Sequence, residues 1–448
     1  MEKLFGTDGV RGEANQFLDG ALAYKIGLAA ATVLKKNHNN HKIVVGKDTR
    51  ISGDMLEAGL IAGVCAAGVD VYCLGVIPTP AVAVLTRHLE AMAGVVISAS
   101  HNPFQDNGIK FFNENGRKLP DKVEEEITQL IYQFDKIQKA APEDLGRVYT
   151  YDEGATYYSE FLKRTSEARF DRLRIVMDCA NGAASKIAPK VFRDLGAEVI
   201  EIASDPNGVN INQACGSTHT EMLQQRVIDE IADLGVAYDG DADRLLAVDA
   251  EGNLVDGDML LCIFAIYLKA ADALREDTVV ATVMSNMGLE KTLADYDIKT
   301  AKSKVGDRYV IEMMEETGAI LGGEQSGHII FRRYNTTGDG IISSIKLAEI
   351  MALSGRSLKD LGNFMERYPQ VLINVPVKRK ENWDKEIEIT LTIAKLEEKL
   401  GNEGRILVRA SGTENILRVM VEGKDEVLIK EIANRIAQAI DATLNTDV

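Results

Sequence analysis

Val96-Ile97-Ser98-Ala99-Ser100-His101-Asn102-Pro103 ends an apolar run abruptly in hydroxyls, an imidazole and a proline. Val95–Ile97 reads as a buried strand, and Pro103 keeps Asn102 out of the helical region. Ser100 therefore falls on a constrained turn at a strand end, where open α/β sheets bind ligands. A lone serine is a weak nucleophile and a weak ligand, so its chemistry depends on what else the chain supplies. Asp239-Gly240-Asp241-Ala242-Asp243-Arg244 follows the strand Val236–Tyr238 and places three carboxylates at alternate positions between small spacers. If they converge to about 5 Å, each pair repels by roughly 1–3 kcal/mol at effective dielectrics from 80 down to 20. A cation offsets that cost, and an all-oxygen donor set favours Mg²⁺ or Ca²⁺ over zinc. The alternative is a solvated acidic turn. An EF-hand does not fit, because no glutamate stands at the closing position.

Arg409-Ala410-Ser411-Gly412-Thr413-Glu414-Asn415, with Arg418 beyond, lies between two strands and combines hydroxyls, a glycine and two arginines. That is a cradle for a dianion, since guanidinium forks match phosphate oxygens in pairs. The competing reading is a polar hairpin turn. Gly322-Gly323-Glu324-Gln325-Ser326-Gly327-His328 offers Glu324 and Ser326 to sugar hydroxyls, or is an ordinary glycine-rich turn. Phe5–Gly12 and Lys47-Asp48-Thr49-Arg50 are further loops compatible with plain turn chemistry. His38, His41, His88 and His219 show no metal-ligand spacing.

Composition narrows the function classes. The 448 residues carry a formal net charge of −17, with 46% hydrophobic residues, 27% charged residues and one tryptophan, Trp383. Net acidity opposes general nucleic-acid binding, and an acidic protein that handles phosphates must concentrate its positive charge locally. Cys65, Cys73, Cys179, Cys215 and Cys262 form no C-x-x-C pair and read as free thiols of a reducing cytoplasm. The first residues show no signal-peptide pattern, and Leu60–Leu85 is too interrupted by Asp70, Pro78 and Pro80 to span a bilayer.

The elements that must position these loops alternate helix with strand almost throughout, which predicts parallel α/β layers. Helices are expected over Leu18–Lys35, Asp54–Ala67, Ala81–Leu89, Val123–Phe134, Tyr157–Thr165, Met259–Ala271 and Arg308–Glu316. Strands are expected over Lys42–Val45, Val69–Leu74, Gly94–Ile97, Ile109–Phe112, Leu173–Met177, Val199–Ile202 and Thr278–Val283. The tail differs: strands at Gln370–Val377, Arg405–Arg409 and Ile416–Val421, with helices Lys385–Leu400 and Val427–Leu444, make a small α+β module. The expected boundaries are 1–150, 151–253, 254–368 and 369–448.

Ser-Ala-Ser-His-Asn-Pro, Asp-Gly-Asp-Ala-Asp-Arg, Gly-Glu-Gln-Ser-Gly-His and Arg-x-Ser-Gly-Thr-Glu occur in that order, and together they resemble the four signatures of the α-D-phosphohexomutase superfamily. Within it, Phe5–Gly12, Gln325 and Val305-Gly306-Asp307-Arg308 resemble the bacterial branch that works on glucosamine phosphates. The resemblance implies three similar α/β domains and a smaller C-terminal α+β domain around a central cleft, in a cytoplasmic enzyme and a homodimer. It implies a phosphoryl group on Ser100 and Mg²⁺ held by Ser100, Asp239, Asp241 and Asp243. His101, Lys110, Arg11 and Arg244 would assist proton transfer or neutralise charge, with the general base left open. Glu324, Ser326 and His328 would read the sugar, and Arg409, Ser411, Gly412, Thr413 and Arg418 would hold the non-reacting phosphate. The implied reaction converts glucosamine 6-phosphate to glucosamine 1-phosphate through glucosamine 1,6-bisphosphate, with no nucleic-acid or membrane partner. The alternatives are a relative preferring phosphoglucose or phosphomannose, an aspartate-based phosphatase, and a silent phosphosugar sensor. Asn415 and Ala410 stand where the family commonly has proline, which implies a less stiff loop.

Overall fold

The computed structural model describes residues 4–6, 8–411 and 415–445. Two compact units account for the chain: Met1–Ser285 with Leu293–Phe364, and Asn286–Thr292 with Met365–Val448.

The first unit holds three sheets. Strands β1 (Val10–Glu13), β2 (Lys42–Lys47), β3 (Asp70–Val76), β4 (Ala93–Ile97), β5 (Asp106–Asn113) and β6 (Val148–Thr150) form one sheet in the order β1-β5-β4-β2-β3-β6. Its core is aliphatic, with Ile43, Val45, Val71, Val95, Ile97 and Ile109 buried against the helices Gly20–Lys35 and Ser52–Ala66. Asp19 caps the first of these helices by accepting the Leu22 N–H at 2.7 Å. The two helices approach until a Cβ at Gly63 would lie 2.1 Å from the Tyr24 carbonyl, so no side chain fits there. Strands β7 (Arg174–Asp178), β8 (Glu198–Ile202), β9 (Leu234–Tyr238), β10 (Leu245–Asp249) and β11 (Leu254–Val255) form the second sheet, ordered β11-β10-β9-β7-β8. The third comprises β12 (Thr278–Thr282), β13 (Lys299–Ser303), β14 (Leu321–Gly323) and β15 (Ile329–Phe331), ordered β13-β12-β14-β15. In the second unit, β16 (Gln370–Pro376), β17 (Gly404–Ala410) and β18 (Ile416–Gly423) are antiparallel in the order β16-β18-β17 and carry the helices Ile387–Leu400 and Glu426–Leu444.

The expectation of parallel layers is corrected in one respect that matters for function: the sheets are mixed. Strands β4, β2, β3 and β6 run parallel to one another, but β4 and β5 pair antiparallel, as do β9 and β10, and β14 and β15. The reason is connection length. A parallel return needs a crossover of about a dozen residues or more, and the segments 98–105, 239–244 and 324–328 are too short for one. Each of these three motifs is thus the turn of an antiparallel pair, and β17 and β18, which flank the fourth motif, are also paired antiparallel.

Candidate active site

Ser100 is 2% exposed and has a left-handed backbone, φ 53°. For a residue with a Cβ that conformation costs about 1–3 kcal/mol and persists only where the surroundings enforce it. Its N–H donates to Ser98 Oγ at 2.9 Å, and Ser98 Oγ donates to Asp48 Oδ2 at 2.6 Å. Its own hydroxyl donates to Asp239 Oδ2 at 2.6 Å and lies 3.3 Å from His101 Nδ1. Serine and acidic motif, distant in sequence, therefore meet directly.

The acidic turn is pressed against the serine turn. A Cβ at Gly240 would lie 2.7 Å from the Ser100 carbonyl oxygen, which excludes any other residue there. One oxygen each of Asp239, Asp241 and Asp243 lies within 4.8 Å of the others, and all three residues are buried. Burial, then the charges of Asp243 and Asp241, hold the Asp239 carboxyl well above the usual carboxylate range. Asp243 is pulled the other way: burial opposes ionisation, but the hydrogen bond from His328 and the charges of Lys110 and Arg244 hold its carboxyl below that range. Asp241 Oδ2 accepts from Thr79 Oγ1 at 2.7 Å and from Lys110 Nζ at 3.0 Å. Asp241 Oδ1 and Asp243 Oδ1 are buried with no hydrogen-bond partner among the described residues. Buried anionic oxygens left open in this way are costly alone and match the donor set of a hard divalent cation.

Cationic groups surround the triad. The Arg244 N–H donates to Asp239 Oδ1 at 3.2 Å, and its guanidinium Nε lies 3.9 Å from both Asp239 and Asp243. Lys110 enters from β5, with Nζ 3.0 Å from Asp241 and 3.0 Å from Asp8, while Arg11 on β1 pairs with Asp8. Burial would lower the Lys110 pKa, but Asp241 and Asp8 outweigh it and keep the ammonium charged. His101 is the reverse case: burial, then Arg244 and Arg11, lower it to about 4, so its imidazole is neutral near pH 7. Of the four groups, the neutral one beside the serine hydroxyl is His101.

Glu324 and Ser326 are half-buried in the turn after β14. Glu324 Oε1 accepts the Gly306 N–H at 3.0 Å, and the turn is docked on β10 by the Leu245 N–H, which donates to the Gly327 carbonyl at 3.0 Å. His328 lies deeper, 3% exposed, with Nδ1 3.5 Å from Asp243 Oδ2. Burial disfavours its cation, yet Asp243, Asp307 and Glu324 raise its pKa to about 9. The Gly338 N–H, however, donates to Nε2 at 3.1 Å, which requires that nitrogen to be unprotonated. A ligand on the triad would also remove much of the carboxylate field that favours the cation. The hydrogen bond therefore sets the neutral tautomer, with Nδ1–H aimed at Asp243, and places His328 behind the triad.

The sequence motifs did not reveal Lys118. Its Nζ lies 2.5 Å from Asp8 and 2.6 Å from Asp307, and it is held strongly protonated by Asp307 and Asp8 against its burial. A continuous alternation of charge results: Asp307, Lys118, Asp8, Lys110, Asp241. Lys118→Met leaves two carboxylates facing each other and is expected to cost roughly 3–5 kcal/mol in denaturant unfolding. Adding Asp307→Asn should recover part of that loss, and strict additivity in this double-mutant cycle would contradict the coupling.

In the second unit, Arg409 and Arg418 are direct cross-strand partners on β17 and β18. Like charges placed opposite each other repel. Burial, then Arg418, lowers the Arg409 pKa, and Arg409 Nε is buried with no partner among the described residues. Ser411 is buried, its N–H donates to the Ile416 carbonyl at 2.9 Å, and its carbonyl accepts from Lys380 Nζ at 2.8 Å, a further cation that the motif did not indicate. The Asn415 carbonyl accepts the Val377 N–H at 2.9 Å. Gly412 and Thr413 lie outside the described residues.

Comparison with known proteins now decides the family. Residues 2–138, 155–252, 256–368 and 372–439 match, in order, the phosphoglucomutase/phosphomannomutase α/β/α domains I, II and III and the C-terminal domain. The chain belongs to the phosphoglucomutase/phosphomannomutase family. It is 54% identical to phosphoglucosamine mutase of Carboxydothermus hydrogenoformans, covering 98% of this chain and 100% of that one. It is 53% identical to phosphoglucosamine mutase of Desulforamulus reducens, covering 98% and 99%. Among solved structures, a family protein from Burkholderia thailandensis superposes with a TM-score of 0.81 at 25% identity, covering 98% and 97%. N-acetylphosphoglucosamine mutase of Aspergillus fumigatus, solved with GlcNAc-6P and magnesium, gives 0.72 at 18% identity, covering 98% and 96%, and speaks for the fold alone. The family consists of phosphohexomutases, which are isomerases. No helix among the described residues is long and apolar enough to cross a membrane.

Proposed function

We propose that the chain interconverts glucosamine 6-phosphate and glucosamine 1-phosphate, with phosphorylated Ser100 as the donor and glucosamine 1,6-bisphosphate as the intermediate and activator. The observation that carries this reading is the 2.6 Å hydrogen bond from the Ser100 hydroxyl to Asp239 within the carboxylate triad. The names of the half-identical relatives support the amino-sugar substrate.

The sugar O1 hydroxyl attacks the phosphoryl group on Ser100. The P–Oγ bond breaks as the P–O1 bond forms, the O1 hydroxyl proton passes to His101, and His101 returns a proton to the departing Ser100 Oγ 3.3 Å away, leaving the free serine hydroxyl. A phosphoryl dianion on the neighbouring serine would raise the His101 pKa from its low value toward neutrality, where proton exchange is most effective. The intermediate then turns end for end, and its 6-phosphoryl group returns to Ser100. Phosphoryl transfer needs positioning and charge neutralisation above all. Arg11, Arg244 and the permanently charged Lys110 supply that charge. Asp239, Asp241, Asp243 and an oxygen on Ser100 would hold Mg²⁺, which when bound offsets the negative charge of the transferring group. His328 orients Asp243, while Glu324 and Ser326 contact sugar hydroxyls.

Arg409, Ser411, Gly412, Thr413 and Arg418 hold the phosphate that does not react. Arg418→Ala is expected to raise KM by about 10–100-fold, as loss of one charge-assisted fork implies, with kcat changed little. A fall confined to kcat would contradict an anchoring role. Coupled assays with the phosphates of glucosamine, glucose and mannose test the substrate, and equal kcat/KM on all three would refute amino-sugar selectivity. Domain limits of 1–150, 151–253, 254–368 and 369–448, a cytoplasmic location and a homodimer complete the proposal.

A further inference from the structure

The turn bearing Ser100 is gripped by two side chains outside every motif that carries the chemistry. Arg50, 2% exposed, follows β2 and donates through Nη2 to the carbonyls of Ser100 and Asn102, each at 2.9 Å, and through Nη1 to the Pro103 carbonyl at 2.6 Å. Its Nε is fixed by Asp48 Oδ2 at 2.9 Å, and Asp48 also receives the Ser98 hydroxyl. Asn212, 7% exposed, comes from the region of the second sheet. Its Nδ2 donates to the same two carbonyls, Ser100 at 2.8 Å and Asn102 at 3.0 Å. The reversed amide would set oxygen against oxygen, so the contacts themselves assign its orientation.

Five donated hydrogen bonds thus converge on three carbonyls of one turn, those of Ser100, Asn102 and Pro103, and the serine of that turn is left-handed. None of them touches the Ser100 hydroxyl, which stays directed at Asp239. Arg50 belongs to the first sheet's loops and Asn212 to the second's, so together they fix the serine relative to the acidic turn as well as within its own turn. We infer that Arg50 and Asn212 are positioning residues that clamp the backbone of Ser100, holding its oxygen in line for phosphoryl transfer through the whole cycle. This rests on the reading that Ser100 carries the phosphoryl group.

The interface offers an internal control. Thr49 Oγ1 donates to the Asn181 carbonyl at 2.6 Å, which ties the same two regions together without touching the serine turn. Asn212→Asp keeps the shape, and aspartate tolerates the left-handed backbone found here (φ 57°), but it removes both donors. Arg50→Lys keeps the charge and loses the fork.

The experiment uses the full chain and its variants. Steady-state kcat and KM, thermal midpoints, and the rate at which glucosamine 1,6-bisphosphate adds a phosphoryl group to Ser100 by intact-protein mass spectrometry are all recorded. Misplacing a reacting atom by an ångström costs about 100-fold, so Asn212→Asp is expected to lower kcat and the labelling rate together by about that factor, with KM within about threefold. Arg50→Lys should lose about 10-fold in both, and Thr49→Val should lower the midpoint while leaving kcat within about twofold. Wild-type kcat in Asn212→Asp, or a loss no larger than that of Thr49→Val at an equal midpoint, overturns the clamp. If Asn212→Asp fails to fold, Arg50→Lys decides, and an unchanged labelling rate there overturns it. A wild-type chain that takes up no phosphoryl group at Ser100 refutes the active-site reading and the clamp with it, a result distinct from labelling that is merely slow in the variants.

Discussion

Ser100→Ala is expected to abolish mutase turnover, by about 10⁴-fold or more, as loss of a covalent nucleophile does elsewhere. The fold should survive. Alanine deletes one hydroxyl whose hydrogen bond goes to Asp239, a loss of about 1–2 kcal/mol. The Arg50 and Asn212 contacts with the serine turn are all to backbone oxygens and remain available in the variant. Two measurements decide the matter: a coupled assay, and the mass of the protein after incubation with the bisphosphate. The variant should gain no phosphoryl mass. Turnover near the wild-type rate would remove the serine from the mechanism. A hydroxylamine-sensitive label on the variant would move the nucleophile to an acyl phosphate on Asp239 and favour a phosphatase-like chemistry.

Asp239→Asn should have opposite effects on the metal-free and Mg²⁺-loaded protein. In the metal-free chain Asp239 is buried beside two other carboxylates, and burial and their charges both resist its ionisation. Neutral asparagine removes that repulsion and can still accept from Ser100, so the variant in a chelator should be more stable by about 1–3 kcal/mol. With Mg²⁺ in excess the order should reverse, because the wild type gains binding energy on folding and the variant gains far less. Turnover at saturating sugar phosphate should fall by roughly 10²–10³-fold. The pH dependence follows from the direction of the shift. The folded carboxyl titrates above its unfolded value, so its contribution to metal-free stability is complete below the unfolded pKa and is lost as pH rises through the folded one. The variant should lack that component of the slope. Equal melting of both proteins in chelator and in Mg²⁺ would exclude Asp239 from a metal site.

The motifs were legible because the chain concentrates its chemistry in short turns. Ser100, the three aspartates and Arg244 could be named from residue type and spacing, and they do converge within one unit. Strands with enough apolar residues to show a pattern, such as Gly94–Ile97 and Ile109–Phe112, were placed within a few residues of β4 and β5. Strands β11, β14 and β15 have only two or three residues and leave no periodicity to find. Strand direction was missed because alternating helix and strand suggests crossovers, whereas the functional turns are too short to be crossovers. The supporting side chains were missed for a different reason. Asn212 is 112 residues from Ser100 in the chain, and Thr79 is 162 from Asp241. Their types are common and their neighbours unremarkable, so only the folded backbone singles them out. Asp8 and Asp307 were within quoted segments, but Lys118, which joins them, had no signal at all.

The contact between Gly240 and the Ser100 carbonyl has a consequence for how the enzyme comes into being on the ribosome. A nascent chain that has released its first 150 residues owns the serine and Lys110 but none of the three aspartates, nor Asn212. On the proposed mechanism, a chain cut after the first sheet would carry the serine without its acidic partners and would turn over no sugar phosphate until the turn at Gly240 seats against that carbonyl.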